Sequence, residues 1–345
     1  MKKIFWLTSG ILTLAVLGLS SLAQDRGLNL FTWNDYIDPA LVKTFEQQNN
    51  ASIKIEIFDT NPDLIQKLES KGLGIYDVVI PTDYVIGEML RRHLLRPLES
   101  RQITNLRNLA DRFRSPIYDF GNKFTAAYQW GTLGIAYRKD KIKKVNKTWG
   151  LLLNKDQQQG KFALYDAPRE MIGAALLYLG KSMSSTNQND LARAEKIVKS
   201  ARARSVGFFG GESIRKKLIS GEIAAGILFN TDAGQLAAQN PNIGFFIPKE
   251  GAQIYVDNMA IPVGAPHVEL AHKFINFILD AQNGAALSKY TKSGTPNEKA
   301  KALLPPSDLK NAIIYPPAGT KLEFIADLGD QEHLYLEAWN RIKNP

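Results

Sequence analysis

Residues Leu28 to Thr32 alternate along the chain, and Ile53-Lys54-Ile55-Glu56-Ile57 alternates strictly, so both segments read as strands. Between them Asp38-Pro39 offers a helix cap and first turn, and Leu41, Val42 and Phe45 mark an apolar helical face. Leu64, Ile65 and Leu68 share a second helical face, Tyr76 to Ile80 reads as a buried strand, and a helix is expected from about Tyr84 to Arg92. This β-α-β-α-β order predicts a mainly parallel, doubly wound α/β lobe.

A second unit of the same kind begins near Lys161. Phe162 to Tyr165 and Ala224 to Phe229 read as strands, and Met171 to Leu179, Leu191 to Ala201 and Ala233 to Gln239 as helices. Tyr128-Gln129-Trp130-Gly131-Thr132 is a candidate crossing between the units, with glycine allowing a change of direction. Tyr255-Val256-Asp257 is a candidate return crossing. Beyond it, Leu270 to Leu279 forms an amphipathic helix, residues 304 to 320 a Pro-rich loop region, and Tyr335, Trp339 and Ile342 one face of a closing helix. The expected fold is two doubly wound α/β lobes joined by two crossing segments with a ligand cleft between them. The expected division is 27–131 plus about 257–295 for the first lobe, and about 132–256 plus 296–345 for the second.

The first residues follow a different pattern. Lys2-Lys3, a nearly unbroken apolar run from Ile4 to Leu19, and Ser21-Leu22-Ala23 have the order of a secretory signal peptide, so residues 1–23 are expected to be cleaved. An uncleaved membrane anchor is the competing reading, because the run is nearly long enough to span a bilayer. The remaining chain, 44% hydrophobic by overall composition, has ample apolar material for its own cores. Cysteine is absent, which excludes thiol catalysis, thiolate metal sites and a lipid-modified cysteine tether. Secretion into a periplasm is therefore expected. The net charge of +9 falls to +7 without Lys2 and Lys3, and its basic residues are spread out. Modest clusters at Lys139 to Lys147 and at Arg215-Lys216-Lys217 read as solvated surface, and no aromatic-interleaved basic stripe supports nucleic-acid binding.

Candidate chemistry gathers where strands run into helices. Trp33-Asn34-Asp35-Tyr36, Thr82-Asp83-Tyr84, Asp166-Ala167-Pro168-Arg169-Glu170 and Phe229-Asn230-Thr231-Asp232 each bring acidic residues to such a junction, three of them beside aromatic rings. The carboxyl ends of strands face the ligand crevice in open α/β sheets, so these side chains can converge on one molecule. Carboxylates beside aromatic faces make a trap for an organic cation. The competing reading for Asp83, Asp166 and Asp232 is a helix N-cap, with Glu170 completing a capping box. Capping explains Asp35 poorly, since the cap Asp38 lies three residues later. Asp257 in its apolar context needs a partner if buried.

Enzyme signatures fail. HExxH, GxSxG and GxGxxG are absent, and Gly180-Lys181-Ser182 lacks the first P-loop glycine, which would fall at Ala175. His93, His267, His272 and His333 have no metal-ligand spacing and are expected at the surface. No metal, cofactor or catalytic residue is expected.

Trp33-Asn34-Asp35-Tyr36, Tyr76 to Thr82, Trp130-Gly131-Thr132, Pro168-Arg169-Glu170, Ile247-Pro248-Lys249-Glu250-Gly251 and Asp257-Asn258-Met259-Ala260-Ile261-Pro262 follow in one order. In this the chain resembles the spermidine/putrescine-binding proteins of bacterial ABC importers, over about residues 27 to 345. The resemblance implies a periplasmic, non-enzymatic protein that closes over a linear polyamine and delivers it to a permease in the inner membrane. It implies that Trp33 and Tyr36 wall the ligand, with Asn34 in the same contact group. Asp35 with Asp257 would hold one ammonium, and Glu170 with Asp232 another. Thr82 and Tyr84 would add hydroxyls, and Phe229 and Tyr255 aromatic faces. One cleft per chain needs no partner subunit, so a monomer is expected.

The chain departs from that pattern at Ala167-Pro168, where spermidine binders carry an acidic residue, while Asp232 matches the putrescine-preferring form. Ser293 stands where a tyrosine is expected and Ile325 where a glutamine is. Putrescine and spermidine both remain open, as do a thiamine-like cation or ferric iron in the same fold. An exported hydrolase using two clustered carboxylates is the alternative from another class.

Overall fold

The computed structural model describes residues 27–344, so the leader-like segment 1–23 lies outside the described residues. The strands are β1 (Gly27–Thr32), β2 (Ser52–Ile57), β3 (Val78–Val79), β4 (Thr125–Arg138), β5 (Phe162–Tyr165), β6 (Phe208–Phe209), β7 (Ala225–Phe229), β8 (Ile243–Phe246), β9 (Ala252–Ala260) and β10 (Leu322–Phe324). They form one mixed sheet in the order β2-β1-β3-β9-β4-β7-β5-β6, with β8 also on β4 and β10 also on β9. One end, β2-β1-β3, is parallel, and so is the other, β7-β5-β6, as the two alternating β/α runs in the sequence require.

The first helix, Pro39–Asn49, begins where the sequence places it. Asp38 Oδ1 accepts the Ala40 N–H at 2.8 Å, Pro39 occupies the first turn, and Leu41 and Phe45 are buried. β2 departs from the one-sided burial that its alternation suggests. It is an edge strand, and Ile55 and Ile57 are 46% and 53% exposed.

The sheet changes sense at its centre, where β4 and β9 run antiparallel through both lobes. Ala126, Ala127, Tyr128 and Trp130 on β4 and Val256 and Met259 on β9 belong to the first core. Leu133 and Ile135 on β4 and Ala252 on β9 belong to the second. The crossing falls at the registered pair Gly131 and Tyr255. Only glycine fits there, since a Cβ on residue 131 would stand 1.9 Å from Asn230 Oδ1 and 2.6 Å from the Tyr255 hydroxyl.

The Pro-rich region carries no periodic signal, and its path had to come from packing. Ala300 and Leu304 pack with Ala285 and Tyr315, and Tyr315 also packs against the first core. Ile313 packs against a second-lobe cluster with Ile214 and Leu228, and Leu322 on β10, which pairs with β9, packs against the second core. Helix Glu332–Lys343 then buries Tyr335, Trp339 and Ile342 in the second core. A helix over Gly211–Ser220 was not anticipated, because its buried face consists only of Ile214 and Leu218, one turn apart. Among the described residues no helix is long and apolar enough to cross a membrane.

Candidate functional site

The junctions singled out in the sequence meet around the β4–β9 crossing. Asp257 is buried in the middle of β9, where its backbone forms an isolated antiparallel bridge with Thr82, between β3 and helix Asp83–Arg91. Tyr36 Oη donates to Asp257 Oδ2 at 2.5 Å, and Thr82 Oγ1 donates to Asp257 Oδ1 at 2.7 Å. Burial pushes the Asp257 carboxyl up to about 6, although both hydroxyls favour its ionised form. No protein cation pairs with it among the described residues.

Asp83, in the first turn of helix Asp83–Arg91, is buried beside this site. Burial, and then the charge of Asp257, hold its carboxyl well above the ordinary carboxylate range. The capping reading of Asp83 fails: Thr82 is the N-cap residue, and the Asp83 side chain instead accepts the N–H of Tyr84 at 2.9 Å. Asp166 is not a cap either, for it binds Lys343 Nζ at 2.7 Å. Asp232 lies inside helix Asn230–Gln239, after the N-cap Phe229. The hydroxyl of Tyr84 accepts from Asn61 Nδ2 at 3.1 Å, and Asn61 Oδ1 receives the Thr82 N–H at 3.1 Å, which ties the start of helix Asn61–Lys67 to the start of helix Asp83–Arg91 within the first lobe.

The second lobe supplies the other carboxylates from helix N-termini. Glu170 is buried in the first turn of helix Pro168–Tyr178, and burial raises its carboxyl against the opposing pull of its own amide and Arg169. Arg169 spends its guanidinium elsewhere, donating to Glu332 at 2.5 Å and to the Ala326 carbonyl at 2.9 Å. Asp232, a quarter exposed, is raised to about 6 by burial, with Arg215 opposing. Asp35 and Asp232 both approach Arg215, while Asp83 lies close enough to Asp257 to feel its charge.

Aromatic rings fill the space between these charges. Phe229 packs edge-on against Tyr165 at 5.5 Å and against Tyr255 at 5.0 Å, and the Tyr255 hydroxyl meets Thr231 Oγ1 at 2.9 Å. Trp33 stacks at a tilt on Phe58 at 4.3 Å, and its indole N–H donates to the Ile80 carbonyl at 2.9 Å. Asn34 is exposed at the rim, and its amide reaches Asp35 at 3.4 Å.

Sequence reasoning left Asp83, Tyr165, Thr231, Asn61 and Arg215 out of the site. Asp83 and Thr231 lay inside motifs already singled out, and Tyr165 ends a strand, so junction position was the usable signal. Asn61 carried none. Arg215 was read as solvated surface, yet its side chain is only 12% exposed and faces the cleft. His272 is also not at the surface; it is buried, with Nε2 accepting the Glu99 N–H at 2.9 Å. Ser293 and Ile325, at the two positions of departure, are both buried.

Two lobes, two shared strands and a crossing lined by carboxylates and aromatic faces define a solute-binding protein whose cleft favours cations. The chain belongs to the bacterial extracellular solute-binding protein family, whose model matches residues 40–317. It is 30% identical to the putrescine/cadaverine-binding protein of Pseudomonas aeruginosa, covering 94% of this chain and 96% of that one. It is 28% identical to a putrescine-binding periplasmic protein of Escherichia coli, covering 98% of both. An ABC transporter chain from Listeria monocytogenes superposes with a TM-score of 0.86 at 32% identity, over 92% of this chain and 99% of that chain. The spermidine/putrescine ABC transporter substrate-binding protein of Streptococcus pneumoniae gives 0.80 at 29% identity, over 92% and 98%.

Proposed function

We propose that this protein captures a linear polyamine, putrescine or spermidine, between its lobes outside the cytoplasm and presents it to the permease of an ABC importer, without turning it over. The observation that carries the reading is Asp257, buried at the lobe crossing, hydrogen-bonded by two hydroxyls and lacking a protein cation. A buried carboxylate without a counter-charge is costly, and a ligand ammonium supplies one. In this reading the cation sits against Asp257 and Asp83, and Glu170 is the open acceptor in the second lobe. Trp33, Tyr36, Tyr84, Tyr165, Phe229 and Tyr255 flank the alkyl chain.

Magnitudes favour this division of labour. Each buried methylene returns about 0.8 kcal/mol, so the four of putrescine give about 3 kcal/mol. Micromolar affinity needs about 8 kcal/mol, and charge pairing with aromatic faces must supply the rest. Export through cleavage near Ala23, a periplasmic location and a monomeric state complete the proposal.

Calorimetric titration of the chain from residue 24 onward, unfolded and refolded to strip carried-over ligand, tests it. Saturable one-to-one binding of putrescine or spermidine at micromolar affinity or better is expected. Silence toward both, in a chain that refolds with native ellipticity, would overturn the polyamine assignment.

A further inference from the structure

Arg215 stands where a ligand cation would be expected. Its Nη1 lies 3.4 Å from Asp35 Oδ2 on the first lobe and 3.5 Å from Asp232 Oδ1 on the second. The same nitrogen lies 3.5 Å from Glu212, which Lys216 also meets at 3.3 Å. One nitrogen shared among several carboxylates is the arrangement of a bridging cation, not of a bidentate structural pair.

The helix that carries Arg215 is built to keep it there. Helix Gly211–Ser220 starts directly against Asp232, and a Cβ on residue 211 would fall 2.8 Å from Asp232 Oδ2. Arg215 follows one turn later and returns to the same carboxylate from the same helix face. Across the cleft Asp35 holds a left-handed backbone, φ 51°, and its carbonyl accepts from Gln235 of the second lobe at 3.4 Å. The anionic positions of the cleft are thus of two kinds. Asp257 with Asp83, and Glu170, have no ion-pairing partner among the described residues, whereas Asp35 and Asp232 share one.

We propose that Arg215 is a tethered cation occupying the Asp35–Asp232 position in place of a ligand ammonium, so that the cleft selects diamines over triamines. This rests on the polyamine reading above. A triamine would bring its additional ammonium against a guanidinium that cannot lose its proton, and would leave that charge either repelled or unpaired. A diamine has no such surplus.

Putrescine and spermidine titrations of the native chain and of Arg215→Gln and Arg215→Lys decide the matter. In Arg215→Gln the spermidine-to-putrescine affinity ratio is expected to rise at least tenfold, and in Arg215→Lys to stay near the native value. Adding Asp35→Asn to Arg215→Gln should cancel the gain, because the vacated position then lacks one carboxylate. Arg215→Ala carries the same expectation as the glutamine variant should that variant fail to fold. An unchanged ratio, or equal losses for both ligands, would overturn the proposal while leaving polyamine binding standing. A native chain silent toward both ligands would overturn the function and the proposal together.

Discussion

Asp257 is polarised toward its ionised form by Tyr36 and Thr82 and pushed the other way by burial, so its charge is held ready without being neutralised. Replacing it with asparagine keeps the shape and removes the charge. Asp257→Asn is expected to weaken polyamine binding at least tenfold, about 1.4 kcal/mol, with thermal stability of the ligand-free protein unchanged or raised. Titration calorimetry beside a melting curve checks both halves; undiminished affinity would place the cation elsewhere. At this scale the sequence was readable for composition and weak for geometry. It named Asp35, Glu170, Asp232 and Asp257, but it could not tell which carboxylates share a neighbourhood, because Asp35 and its contact Arg215 are separated by 180 residues.

Elements came through more clearly, because strand alternation and helical spacing are local. Phe162–Tyr165 and the cap at Asp38 fall where the pattern puts them. Helix Gly211–Ser220 did not, since a buried pair of apolar residues gives little periodic signal. The tightest requirement is at the β4–β9 crossing, where Gly131 lets Asn230 and Tyr255 approach the strand. Gly131→Ala should cost about 1–3 kcal/mol of stability by overpacking and weaken ligand binding through the displaced Tyr255. Urea unfolding and titration of the same sample measure the two effects. A variant as stable and as tight-binding as the native chain would mean that the crossing tolerates a methyl group.

Across the whole molecule the raised carboxylates are expected to make binding a proton-linked event. Asp257 and Asp232 are raised to about 6, above the ordinary aspartate value of about 3.9. In the ligand-free state the folded chain therefore holds protons that the unfolded chain has released, and this contribution to stability falls as pH rises from about 4 through about 6. A bound cation favours the ionised carboxylates, so the sign for affinity is opposite: binding strengthens as pH rises through about 6 and levels off near 7. With Asp232 held by Arg215 and Asp257 left to the ligand, the loss between about pH 7 and pH 5 should be roughly tenfold. Titrations in buffers of different ionisation enthalpy would register the released protons. Affinity independent of pH over that interval would mean that Asp257 does not meet the ligand.

The sequence by itself determined the elements and their alternation, hence two α/β lobes, and it marked the strand-to-helix junctions as candidates for the binding chemistry. It could do so because backbone preference and side-chain periodicity act over a few residues. The tertiary structure alone decided which charges meet. It placed Asp83 beside Asp257, turned Arg169 away to Glu332, and brought Arg215 between Asp35 and Asp232. It also carried the Pro-rich segment back over the first core before β10. Those outcomes depend on contacts between distant parts of the chain, formed only when the lobes pack and close, and no local pattern encodes them.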